Sequence, residues 1–173
     1  MASRLAPGQH ANTDAGAPVL TPFVSADTGC DAVTHMSRCW VLSSELTVIP
    51  PVVQDIVALC RDAGFSSRHC GLNVPVAVTE AVANAILRGN GSDLSRKVEI
   101  TAEVDDRRLV VDVCDEGEGF DLQSLQQSPD DGDWLEREHG RGVFLMRSLM
   151  DHIENARRDG QCGHRLRLVL YRA

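Results

Sequence analysis

Residues 79–86 have the sequence TEAVANAI. Glu80 and Asn84 stand four residues apart, so a helix in this region would project both side chains from one face. The amide oxygen of Asn84 is a suitable ligand for magnesium, which usually binds few protein groups together with phosphates and water. The carboxylate of Glu80 could accept a proton from an attacking hydroxyl group. Two polar residues on an ordinary helix surface have the same spacing, so this motif needs support from elsewhere in the chain.

A second motif is DEGEG at residues 115–119, which follows a strongly apolar stretch. The stretch predicts a central strand, which would leave Asp115 partly buried at its end. A partly buried carboxylate needs hydrogen-bond donors, and the exocyclic amine of adenine is one. Gly117 and Gly119 have no side chains and would let a flat base approach the backbone. A tight acidic turn that binds nothing is the alternative.

A third motif is Gly140-Arg141-Gly142, where a polar segment meets an apolar stretch with helical spacing. Backbone N–H groups at the start of a helix attract phosphate. Arg141 could contact a phosphate oxygen or a partner protein. The alternative is a loop–helix junction whose glycines need positive φ. The chain has neither the P-loop signature nor the dinucleotide fingerprint GxGxxG, which excludes both of those nucleotide-binding classes.

Hydrophobic periodicity predicts the other elements. They are strands at 39–46, 97–104, 107–114, 151–158 and 164–171, and helices at 48–63, 71–88 and 142–150. This order indicates an α+β fold, a two-layer sandwich of a mixed, mainly antiparallel sheet with helices on one face. Residues 121–139 are polar and contain Gly and Pro, so we expect a mobile lid that becomes ordered when phosphates bind.

Composition limits the class of protein further. Residues 1–35 predict a flexible N-terminal extension, and residues 36–173 a single domain. A hydrophobic content of 43%, no export signal and no apolar run of about 20 residues predict a cytoplasmic protein without a membrane segment. The net charge of -8 disfavours a nucleic-acid partner. The six cysteines form no CxxC pair, which disfavours a paired-ligand zinc site, and we expect Cys60 and Cys114 to be buried thiols.

Taken together, the three motifs resemble those of the GHKL superfamily of ATPases, which includes gyrase, heat-shock chaperones, histidine kinases and MutL. Within it, the chain is most similar to the short anti-sigma-factor serine/threonine kinases, and the similarity covers about residues 38–171. The resemblance implies the Bergerat ATP-binding fold for the α+β domain. It also implies binding of ATP and Mg²⁺, a sigma factor and a STAS-type anti-anti-sigma protein as partners, and a homodimer.

The resemblance assigns a role to each motif residue. Glu80 would be the catalytic base, Asn84 would coordinate magnesium, and Asp115 would bind the adenine amine. The walls around the base and phosphates would be formed by Gly117, Gly119, Gly140, Arg141 and Gly142.

Two positions depart from the family pattern. Arg88 stands where relatives often have histidine, and His164 stands where they often have threonine. Both concern nucleotide binding or turnover, so two other hypotheses remain open. One is a non-catalytic, nucleotide-dependent module that sequesters a sigma factor or another regulator. The other is a detached histidine-kinase catalytic domain, which the lack of a phosphoacceptor helix pair disfavours.

Overall fold

The computed structural model of the chain describes residues 35–117, 138–157 and 163–172. The predicted N-terminal extension, the predicted lid at 121–139, Gly119 and the predicted turn at Asp159-Gly160 lie outside these ranges. Of residues 138–140, the backbone alone is described.

Five strands form one sheet in the order β1-β2-β3-β5-β4, and every neighbouring pair is antiparallel. They are β1 (Met36–Ser43), β2 (Lys97–Val104), β3 (Arg108–Asp115), β4 (His152–Arg157) and β5 (His164–Tyr171). The apolar strand β3 is central, as its sequence predicts. The α+β prediction is confirmed, and the described sheet is antiparallel throughout.

Three α-helices cover one face of this sheet: α1 (Ile49–Asp62), α2 (Val74–Asn84) and α3 (Glu138–Leu149). Alternation along β2 shows which face is covered. Val98 and Ile100 are fully buried, whereas Glu99 and Thr101 between and beside them are half-buried on the opposite face. The core therefore lies between the helices and one side of the sheet, and the other side faces outward.

The first strand and the first helix show how closely local sequence signals determine the element bounds. The strand predicted to reach residue 46 ends at Ser43, and a 3-10 turn (Leu46–Val48) leads into α1. At the other end, Gly64 has φ +76. The N–H groups of Gly64 and Phe65 donate to the carbonyl groups of Arg61 and Cys60. This is a Schellman cap, in which glycine accepts the left-handed conformation without steric cost.

Helix α2 is extended at both ends by single π-helical turns, His69–Asn73 and Ala85–Gly89. The resulting helix, His69–Gly89, is the one in the described ranges that is long and apolar enough to span a membrane by length and composition. It contacts α1 and α3 and rests on the sheet, with Val74, Val78 and Val82 fully buried. The buried face of this helix is therefore part of the core.

The buried-thiol expectation is correct for one cysteine and wrong for the other. Cys60 is fully buried, and this burial, with a smaller contribution from nearby Cys70, raises its pKa to about 12. Cys114 is half-buried, because the alternation of β3 turns it toward the outward face of the sheet. Among the described residues, Cys39, Cys60, Cys70 and Cys114 are free thiols.

Candidate functional site

Glu80, Asn84 and Gly142 meet where α2 packs against α3, and we call them the α2–α3 cluster. A Cβ atom added to Gly142 would lie 2.6 Å from Oε2 of Glu80 and 3.5 Å from Nδ2 of Asn84. Glu80 and Asn84 are both half-buried. The structure therefore brings together two motifs that are separated by about sixty residues in the sequence, and glycine is what permits the close approach of the two helices.

The helix that carries the third motif begins earlier than predicted. Helix α3 starts at Glu138, whereas hydrophobic periodicity predicted residue 142. Gly140, Arg141 and Gly142 thus lie within its first turns. In the described ranges, positive φ among glycines occurs at Gly64, Gly91 and Gly163, so Gly142 is required for its lack of a side chain and not for an unusual backbone. The side chain of Arg141 is exposed.

Asp115 is the last residue of β3. Its carboxylate is buried, and the residue is 5% exposed. The N–H of Gly117 donates to its Oδ1 at 2.8 Å. Nδ1 of His164, the departure noted in the sequence, lies 3.8 Å from its Oδ2, and His164 is itself 3% exposed. The register of β3 and β5 places residue 164 directly opposite Asp115, so a buried imidazole lies beside this carboxylate.

Three residues around this carboxylate are in very close contact. A Cβ atom on Gly89 would lie 2.3 Å from Cγ of Asp115, and one on Gly117 would lie within 2.1 Å of the Gly89 carbonyl oxygen. A Cβ atom on Gly163 would similarly meet the carbonyl oxygen of Asp115. The end of the long helix, the end of β3 and the start of β5 can approach this closely because these positions are glycine.

Asn90 was not among the residues singled out in the sequence, yet it is central to this region. It is 1% exposed. Its amide donates to Oγ of Ser44 and to the carbonyl of Lys97, both at 2.9 Å, and its Oδ1 accepts from the N–H of Glu116 at 2.8 Å. In the sequence, Asn90 stands between two glycines at the end of a helix, which indicates only a turn. Residues Gly89, Asn90, Asp115, Glu116, Gly117 and His164 form what we call the Asp115 cluster.

The two clusters lie along one helix. Glu80 and Asn84 belong to α2, Gly89 ends the π-helical turn that follows, and Asn90 comes next. From Glu80 to Gly89 the helix rises by about 13 Å, at about 1.5 Å per residue. This span is the distance that a ligand contacting both clusters must bridge. Arg88, the other departure from the family pattern, is exposed on this helix.

The donor set of the α2–α3 cluster is consistent with magnesium bound jointly with phosphates. In the described ranges, no group of three or more His, Cys, Asp or Glu side chains gathers to hold a metal ion. Magnesium does not need such a group, because it is commonly held by one or two protein oxygens with substrate phosphates and water. The amide oxygen of Asn84 is a suitable single ligand of this kind, one helical turn from the carboxylate of Glu80.

The structure thus combines a helix-layered antiparallel sheet, an acid–amide pair in the second half of the central helix and a buried aspartate against the C-terminal end of that helix. The chain belongs to the histidine kinase-like ATPase domain family, whose model matches residues 42–170. The resemblance to GHKL ATPases is therefore confirmed.

Individual relatives refine this placement. The chain is 30% identical over 87 residues to serine-protein kinase RsbW of Oceanobacillus iheyensis, which is 47% of this chain and 55% of the relative. It is 39% identical over 87 residues to the anti-sigma F factor of Clostridium acetobutylicum, 47% of this chain and 57% of the relative. It is 35% identical over 86 residues to serine-protein kinase RsbW of Bacillus subtilis, 47% of this chain and 54% of the relative. The chain thus spans about half the length of the curated relatives it matches, and its place in the anti-sigma kinase branch is confirmed.

Proposed function

We propose that this chain is an ATP-dependent protein serine/threonine kinase and anti-sigma factor of a bacterial partner-switching module. Its phosphoryl acceptor is a serine or threonine of a STAS-type anti-anti-sigma protein, and its second partner is a sigma factor. It acts in the cytoplasm as a homodimer. The observation that carries this proposal is the close approach of Gly142 to Glu80 and Asn84, which joins a candidate base, a candidate metal ligand and the second turn of α3 in one place.

In this proposal ATP lies along the helix between the two clusters. The carboxylate of Asp115 accepts a hydrogen bond from the adenine amine, and the absence of side chains at Gly89 and Gly117 lets the helix end and the turn pack closely around that carboxylate. The phosphates lie toward α3, where the free N–H groups and the dipole of its first turn favour anions. Asn84 holds Mg²⁺, which neutralises charge on the phosphate oxygens when it is bound.

Glu80 acts on the acceptor side of the reaction. Its carboxylate orients the serine hydroxyl group and accepts its proton as the serine oxygen bonds to the terminal phosphorus. The bond from that phosphorus to the bridging oxygen breaks, and ADP leaves. Because phosphoryl transfer depends chiefly on positioning and charge neutralisation, Glu80 contributes mainly by orienting the nucleophile.

The proposal is tested by incubating the chain with ATP, magnesium and a candidate STAS protein, followed by intact-mass measurement. We expect a single phosphate to be added to the STAS protein. Binding of a sigma factor is measured in parallel with and without ATP. If no STAS protein is phosphorylated while a sigma factor binds in an ATP-dependent manner, the chain is the non-catalytic sequestering module.

The Glu80→Gln variant tests the chemical role. We expect ATP affinity to change little and the rate of phosphoryl transfer to fall by about a hundredfold. Glu103→Gln is the matched control, because Glu103 is exposed on β2, on the face of the sheet away from the helices. An unchanged transfer rate in Glu80→Gln would leave the kinase in place and remove Glu80 as its base.

A further inference from the structure

Asn90 is buried in a position where every polar group of the residue is used. Its backbone N–H donates to the carbonyl of Ala85, and its carbonyl accepts from the N–H of Asp93. Its side chain makes the three hydrogen bonds to Ser44, Lys97 and Glu116 described above. A buried amide with this many partners is held in a single orientation, because losing any of them leaves a polar group unsatisfied.

Three of these residues close a ring. Asn90 donates to the carbonyl of Lys97, the N–H of Lys97 donates to Oε1 of Glu116 at 2.7 Å, and the N–H of Glu116 donates back to Asn90. Glu116 is therefore held twice, once by its backbone and once by its side chain. Because Glu116 directly follows Asp115, the ring fixes the path of the chain as it leaves β3.

The orientation of the Asp115 carboxylate depends on that path. Its Oδ1 accepts from the N–H of Gly117, and that N–H is in place because residue 116 is held. On the other side, Gly89 lies directly against the carboxylate, and Gly89 is the residue before Asn90. Asn90 thus controls both the helix end that packs on Asp115 and the turn that donates to it.

We propose that Asn90 is the positioning residue that gives the site its preference for adenine over guanine. This inference rests on the proposed binding of ATP. Adenine presents an amine donor where guanine presents a carbonyl oxygen, so a correctly oriented carboxylate accepts from the first and repels the second. Without the acceptor at residue 90, the turn after Asp115 relaxes, the carboxylate loses its orientation, and the discrimination falls although no atom of Asn90 touches the base.

The test compares four variants with the wild type by calorimetric titration with ATP and with GTP. Asn90→Ala removes the acceptor for Glu116, and we expect the ratio of ATP to GTP affinity to fall at least about tenfold. Asn90→Asp keeps the acceptor for the N–H of Glu116 but loses the donor to Ser44 and Lys97, so it should lower stability while keeping more of the ATP to GTP affinity ratio than Asn90→Ala does. Asp115→Asn is the positive control and should bind ATP and GTP with similar affinity.

Ser44→Ala is the matched control for stability. Ser44 is 2% exposed, accepts from the Asn90 amide and donates to the carbonyl of Arg96 at 3.0 Å, but it does not contact the turn. Its removal should lower the free energy of unfolding and leave the nucleotide ratio unchanged. A merely structural role for Asn90 would make Ser44→Ala and Asn90→Ala alike in both measurements.

Amide hydrogen exchange at Glu116 without nucleotide provides a second readout. Exchange should be faster in Asn90→Ala, beyond any change in overall stability, and not in Ser44→Ala. An unchanged ATP to GTP ratio in Asn90→Ala would overturn the inference, as would an equal loss in Asn90→Asp. A wild type that binds neither nucleotide would overturn the proposed function itself, which distinguishes the two failures.

Discussion

The two ends of the site are built differently. The Asp115 cluster is part of the core: Asn90, Asp115 and His164 are each 5% exposed or less, and glycines hold the chain segments in close contact. In the α2–α3 cluster, Glu80 and Asn84 are half-buried side chains that meet a single glycine. The difference teaches that changes at the adenine end of the site should also lower the stability of the fold. Changes at the phosphate end should have little effect on stability.

Gly89→Ala should show the largest effect of this difference. The new Cβ atom would meet the carboxylate of Asp115 at 2.3–2.5 Å, and this carboxylate is buried and held by the N–H of Gly117, so it has little room to move aside. We expect the free energy of unfolding to fall by about 3 kcal/mol and ATP binding to be lost.

Gly71→Ala is the control for this variant, since a Cβ atom there meets nothing within 4 Å. It should stabilise the protein by about 0.5–1 kcal/mol, because alanine is favoured over glycine in a helix. Chemical denaturation measures the free energy of unfolding of both variants. Equal stability of the two variants would mean that the Asp115 cluster is not part of the core.

A pair of variants compares the two ends directly. Asp115→Asn and Asn84→Ala should each weaken ATP binding in magnesium by about tenfold to a hundredfold, the value of a lost charge-assisted bond. Asp115→Asn should also lower the free energy of unfolding, because one of two buried acceptor oxygens, between the N–H of Gly117 and His164, becomes an NH2 donor. Asn84→Ala should leave stability nearly unchanged. When magnesium is omitted, Asn84→Ala and the wild type should bind ATP with equal affinity.

Calorimetry and denaturation on the same preparations measure both quantities. Gln54→Ala, at an exposed position on α1, is the control for Asn84→Ala. Undiminished ATP affinity in both Asp115→Asn and Asn84→Ala would contradict the assignment of the site.

Among the changes within the site, Gly142→Ala should have the smallest effect on ATP binding. Its Cβ atom would meet Oε2 of Glu80 at 2.6 Å, which is the far end of a flexible side chain that can move aside. The helical alanine should offset the strain, so we expect stability to change by less than about 1 kcal/mol and ATP affinity to fall by about fivefold. A loss of stability as large as that of Gly89→Ala would remove the contrast between the two ends.

Local signals in the sequence predict much of the architecture. The apolar stripe of α1 predicts a helix, and Gly64 marks where that helix ends. The strongly apolar sequence of β3 predicts the central strand. Each of these signals is contained in a few neighbouring residues. The spacing of Glu80 and Asn84 likewise places them on one face. Element ends were less accurate where a polar helix start has no apolar period, as at Glu138 in α3.

Contacts between distant residues were beyond prediction. Asn90 bonds to Ser44 and to Glu116, 46 and 26 residues away, and nothing in the sequence around Asn90 indicates either partner. The closeness of His164 to Asp115 follows from the antiparallel register of β3 and β5, which pairs these two residues directly. Hydrophobic periodicity identifies strands but does not establish which strands are neighbours.

The π-helical turn Ala85–Gly89 makes chain length, and not only side-chain identity, a requirement of this protein. The N–H of Asn90 donates five residues back to Ala85, so this turn holds more residues than an ordinary helical turn. Each residue of an α-helix advances about 100° around the axis. The wide turn already holds its extra residue, so one further insertion between Asn84 and Gly89 would rotate everything that follows by about that angle, and Asn90 would turn away from Ser44 and Glu116. Substitutions along the exposed side of this turn should therefore be tolerated far better than an insertion within it.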